Sequence, residues 1–139
     1  MVPRPRGLLL TCLVGLVLGY PDFEMKIPRG HRVPNRFCPG EVVHGVGHID
    51  FQGGGQVNAF GDAFREAGYK WTLDFCRADS DGDGLSNGEE LGDPECAWSE
   101  GVAIVDKMAP SNPAMSEKIS KSEAESRGFN VACTGSVEF

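Results

Sequence analysis

The chain has 139 residues and carries 20 acidic against 13 basic side chains, a net charge of −7 with neutral histidines. That length allows one domain at most. The acidic balance disfavours nucleic acid as a partner, because affinity for it comes largely from lysine and arginine neutralising phosphates.

At the N-terminus Arg4 and Arg6 precede an apolar run from Leu8 to Leu18 that ends at small Gly19. This is the pattern of a secretory signal peptide over residues 1–19, cut after Gly19. The run falls short of the roughly 20 apolar residues that cross a bilayer, and no later stretch is apolar enough to do so. No membrane span is expected. Cleavage would leave residues 20–139 with 11 basic against 20 acidic side chains, a net charge of −9.

From Tyr20 to Gly55 prolines and glycines recur every few residues and break helices and sheet ladders alike, so turns and short extended pieces are expected, with Val43 and Phe51 as core contributors. The triplet Gly53-Gly54-Gly55 suggests backbone passing close to something bulky. A phosphate cradle is discounted, since no lysine with serine or threonine follows. "NAFGDAFREAGY" predicts a helix over 58–67, with Asn58 as cap, Phe60, Ala63, Phe64 and Ala67 on one side and Gly68 at its end. "WTLDFCRA" predicts a second short helix within 72–78, capped by Thr72, with Leu73, Phe75 and Cys76 inward; a strand is the competing reading. Ser86 and Glu89 form a capping box for a helical turn that stops at Gly92-Asp93-Pro94, too short for the outgoing helix of an EF-hand. Residues 20–113 therefore read as the domain. Beyond Pro113, "MSEKISKSEAESRG" has helix-forming composition but only Met115 and Ile119 to bury, so residues 114–139 read as a polar solvated helix or mobile tail tied down by Cys133. The fold class expected is small α+β, irregular and loop-rich, stabilised by disulfides and a calcium loop.

Cys12 leaves with the signal, and Cys38, Cys76, Cys96 and Cys133 remain. Four cysteines in a secreted chain imply two disulfides with three possible pairings. Cys76 and Cys96 bracket the acidic loop and favour each other, which leaves Cys38 for Cys133. Sequence alone does not choose.

Between those two cysteines lies "DSDGDGLSNGEE", from Asp79 to Glu90. With Asp79 as position one, Asp81, Asp83, Leu85, Asn87 and Glu90 fall at positions three, five, seven, nine and twelve, and Gly84 at the sixth, the twelve-residue calcium pattern. Alternating aspartates send oxygens to a common centre, Leu85 need offer only its carbonyl, and Glu90 can close the shell. A solvated acidic loop would not need this spacing, and the oxygen-rich shell suits calcium better than magnesium. Outside the cell a single loop with an affinity on the order of 0.1 to 1 mM stays largely occupied, so the metal is expected to hold the fold and not to switch it.

His44 and His48, with Asp50 and His31 as further ligands, are the one candidate for a copper or zinc site, and that site would make the chain a small extracellular metalloprotein or enzyme. Gly45 and Gly47 argue for a loop, and the glutamate of zinc proteases is missing after His44. Structural or surface histidines are the preferred reading. Arg29, Arg32, Arg36, His44 and His48 beside Phe37 and Phe51 form instead a candidate surface for an acidic or amphipathic partner.

"YPDFEMKIP", "GVGH", "QGGG", "NAFGDAF" and above all "DFCRADSDGDGLSNGEELGDPEC" resemble the temptin-like domain family of secreted proteins, over Tyr20 to about Pro113. The resemblance implies an extracellular, non-enzymatic protein taking part in a water-borne attractant (pheromone) complex with other secreted proteins or peptides, a receptor among the candidate partners. It also implies the Cys76–Cys96 bridge.

Overall fold

The computed structural model describes residues 23–104 and 110–135. The expected signal peptide, residues 1–19, lies outside the described residues. Four short helices follow a 3-10 turn at Phe23–Lys26: α1 (Ala59–Glu66), α2 (Leu73–Arg77), α3 (Asn87–Glu90) and α4 (Lys121–Ser126). Among the described residues the β component reduces to three isolated bridges, Pro34 with Val42, His48 with Val57 and Asp50 with Asn130. A chain broken by glycine and proline every few residues cannot extend such bridges into ladders.

Each helix starts where a side chain can satisfy its free N–H groups. Asn58 accepts from Gly61, Thr72 from Phe75, Ser86 from Glu89 and Ser120 from Glu123. Asn58 does more than cap. It is buried, and its amide also donates to the carbonyls of Val46 (2.8 Å) and His48 (3.0 Å), stitching the loop-rich segment onto α1.

The core is aromatic at its centre. Phe60 and Phe64 of α1 lie against Phe75 of α2 at 4.9 and 5.5 Å between ring centres, and Trp71 meets Phe75 edge-on. Val33, Val43, Val46 and Phe51 close one side. Leu73, expected inward, is 49% exposed. In a helix of little more than one turn the core side is already taken by Phe75 and Cys76, and Leu73 at its first position faces out.

Two expectations need correction. The segment after Pro113 is no solvated tail: Met115, Ile119, Ala124 and Val131 are all buried in the common core. Backbone bonds from Phe51 to the Asn130 carbonyl (3.1 Å) and from Asn130 to the Ile49 carbonyl (3.0 Å) lay its end along the middle of the chain. The glycine triplet also lacks a bulky neighbour. All three residues take positive φ, and the close approach is backbone on backbone, since a Cβ at Gly45 would collide with the Gly53 backbone.

Candidate functional site

The acidic loop runs from the end of α2 into α3, and these two helices pack on each other. Its turn is built from its own carboxylates. Asp79 accepts from the backbone of Gly82 (2.9 Å), Asp83 (3.2 Å) and Gly84 (2.9 Å), Asp81 from Asp83 (3.2 Å), and Asp83 from Leu85 (2.9 Å). Gly84 sits at φ 94°, the left-handed region that a side chain disfavours. Leu85 leaves its side chain 44% exposed.

Asp79, Asp81 and Asp83 present oxygens within 4.8 Å of one another. Asn87 and Glu90, on α3, are buried at 0% and 3% exposure. Three buried acceptor oxygens, Asp81 Oδ2, Asn87 Oδ1 and Glu90 Oε2, have no hydrogen-bond donor. Buried acceptors normally find one. Burial pushes the Glu90 carboxyl up to about 9, with the charges of Asp81, Asp83 and Asp79 adding to it. Burial likewise raises Asp81 to about 7, reinforced by the Asp83 charge, whereas the Gly84 N–H leads the bonds that hold Asp79 below the usual range. An acceptor set so crowded is chemically competent to take up a hard cation.

The loop is held at both ends. Cys76 and Cys96 are joined, and α3 lies so near the bridge that a Cβ at Gly88 would collide with Cys76 Sγ and the Asp93 carbonyl. Cys38 and Cys133 form the other bridge. Three residues that the sequence did not mark as part of the site complete the frame, one of them Asp93, read there only as part of a helix stop. Buried Asp93 accepts from the Trp71 indole N–H (2.9 Å) and from the backbone of Ala97 (2.9 Å) and Trp98 (3.1 Å). Ser111 donates to the Glu90 carboxylate at 3.2 Å. Buried Asn112, through its side-chain oxygen, turns the backbone at Ala114. The legible hint was "GDPEC", where an aspartate before proline marks a turn; nothing local marks Ser111.

The histidines do not converge. Among the described residues no group of three ligating side chains includes His31, His44 or His48. His44 is exposed, 4.0 Å from a Glu24 oxygen, and His48 Nδ1 pairs with the Gly55 carbonyl at 3.3 Å. The cluster of Cys38, Glu41 and Cys133 offers no thiolate, because both sulfurs are in the disulfide.

The expected partner surface is also divided. Arg36 is not open to a partner: its guanidinium donates to the carbonyls of Ser116 (2.9 Å), Glu117 (3.1 Å) and Ile119 (2.7 Å) and lies 4.4 Å from the Phe37 ring centre. It fastens the C-terminal segment, Phe37 is half-buried beneath it, and Phe51 is in the core. Arg32 remains exposed.

A small extracellular-type domain, closed by two disulfides around a framed acidic loop, is the class these features define. The Temptin C-terminal family profile matches residues 17–115. The chain is also 47% identical over 110 residues to Temptin of Aplysia californica, covering 79% of this chain and 88% of that protein. It belongs to the temptin family, and no solved structure matches it. Family membership and the two bridges, which persist in oxidising surroundings, place the protein outside the cell.

Proposed function

We propose that this chain is a calcium-stabilised extracellular binding protein that works by holding other secreted proteins or peptides, in the manner of a pheromone complex, and catalyses nothing. One observation carries the calcium reading: buried oxygens of Asp81, Asn87 and Glu90 lack donors beside a cluster of three aspartates. A divalent cation would satisfy those oxygens and neutralise the crowded carboxylates together, and Asp79, Asp81, Asp83, Asn87, Glu90 and the Leu85 carbonyl would hold it. Calcium fits as a hard ion served by many oxygens. The non-catalytic reading rests on the chemistry present, since the expected ligand set includes no nucleophile and no histidine, and among the described residues the histidines stand apart.

Calorimetric titration with calcium and thermal melting test it together. At about ten times the dissociation constant, calcium should add roughly 1.4 kcal/mol of stability through mass action. Glu90→Gln should abolish that gain. Without calcium the same variant should melt no lower than the wild type, because it relieves carboxylate crowding. Absence of calorimetric binding would reduce the loop to a solvated turn.

A further inference from the structure

We infer that Ser111 is a positioning residue for the metal ligand Glu90: from outside the acidic loop it occupies one carboxylate oxygen and leaves the other for the cation. This deepens the calcium reading proposed above and rests on it. Ser111 holds Glu90 twice, its hydroxyl donating to Oε1 at 3.2 Å and its backbone N–H to the Glu90 carbonyl at 2.8 Å. Oε2 of the same carboxylate is buried and meets no donor among the described residues. One oxygen is thus taken and its twin kept open, in a residue only 3% exposed.

The loop's own donors are committed elsewhere. The N–H groups of Gly82, Asp83 and Gly84 go to Asp79, that of Leu85 to Asp83 and that of Ser86 to Glu89. The Asn87 amide donates to the Phe75 carbonyl at 2.9 Å, and the buried Ser80 hydroxyl engages none of the described residues. The donor for Glu90 comes instead from 21 residues along the chain.

Ser111 is itself held firm. Asn112, Pro113 and Met115 beside it are buried, and Asn112 accepts from the backbone of Ala114 through its side chain (3.0 Å) and from that of Met115 through its carbonyl (3.1 Å). The last torsion of a glutamate is broad, so a carboxylate without a fixed donor samples many orientations. A donor on a packed turn removes that freedom before the ion arrives, and losing a partner of this kind costs roughly tenfold to a hundredfold in metal affinity.

The test uses the full chain with both disulfides formed, calcium chloride alone, and calorimetry at one temperature and neutral pH. Ser111→Ala should bind calcium about tenfold more weakly. Ser111→Thr keeps the hydroxyl and should keep the affinity, and Ser80→Ala, which removes the idle hydroxyl of the loop, should leave it unchanged. A purely structural serine would lower the melting temperature of S111A without calcium and leave the dissociation constant where it was. In the wild type, NMR should show calcium moving the Ser111 amide signal and slowing its exchange, a measurement that stands even where S111A fails to fold. Undiminished calcium affinity in S111A, an equal loss in S111T or S80A, or a Ser111 amide indifferent to saturating calcium would overturn the inference. If the wild type binds calcium and S111A binds it equally well, the positioning role is wrong and the calcium site stands. If the wild type binds none, the calcium reading itself fails.

Discussion

The two disulfides are the same bond put to opposite uses. Cys76 and Cys96 are 20 residues apart and clamp a single loop; Cys38 and Cys133 are 95 apart and close most of the folded chain. Around the short bridge the structure is locally determined, with caps, a capping box and a loop that bonds to itself. Around the long one almost nothing is local. Arg36 reaches carbonyls some 80 residues away, and the Phe51 and Asn130 backbones meet across a similar distance. A protein this small, with little regular structure, holds its non-local half together by a few specific ties, and so the loss of one tie has very different consequences in the two regions.

Removing each bridge tests that contrast most strongly. Chain entropy assigns about 5 kcal/mol to the long bridge and about 3 kcal/mol to the short one. Denaturant unfolding of Cys38→Ala with Cys133→Ala should show the larger loss, together with rapid amide exchange over residues 110–135. The Cys76→Ala, Cys96→Ala pair should lose less stability and should also lose the calcium response. If both pairs abolish calcium binding equally, the loop is not a separately framed unit.

Asp93 sharpens the comparison within the local region. One oxygen of its carboxylate accepts from Ala97 and the other from both Trp71 and Trp98. Asp93→Asn must turn an amide NH2 towards one of these groups of donors. Leaving a buried donor unpaired costs about 1 to 3 kcal/mol, so D93N should melt lower and quench differently at Trp71 and Trp98. The Asp93 carboxylate bonds to Trp71, Ala97 and Trp98 and to no residue of the acidic loop, so calcium affinity should fall less in D93N than in E90Q. The reverse order would mean that Asp93 controls the loop more than the ligands themselves do.

What could be read from the sequence follows the same division. Asn58, Thr72 and Ser86 signal their helices because a cap and the backbone N–H that donates to it lie three residues apart, and the spacing of Asp79, Asp81, Asp83 and Glu90 is a motif in one dimension. The unpaired oxygens of Asn87 and Glu90 appear only once α3 is packed on α2. The C-terminal segment was opaque for a different reason. Ala124 and Val131 are buried singly, one side chain per turn or loop, so no period marks them, and the carbonyls that hold Arg36 have no sequence signature at all. The family match also stops at residue 115, short of them.

The smallest expected effect lies at the exposed end of the long bridge. The Glu41 carboxylate accepts from the Thr134 backbone (2.9 Å), the Thr134 hydroxyl (3.0 Å) and the Gly135 backbone (3.0 Å). The Thr134 N–H is the chief cause that holds its carboxyl below the ordinary value of 4.5. A native value below the unfolded one means that the contact contributes while Glu41 is ionised and fades as pH falls through that depressed value. The same loss should follow from Glu41→Gln at neutral pH. Because Cys133 already fixes the neighbouring residue, the effect should stay local: lower protection of the Thr134 and Gly135 amides relative to their intrinsic exchange rates, in E41Q at neutral pH and in the wild type once pH falls through the depressed value of Glu41, with no change in melting temperature for E41Q. A fall in melting temperature for E41Q approaching that of the Cys38, Cys133 pair would show that the carboxylate, and not the disulfide, fastens the distant end of the chain.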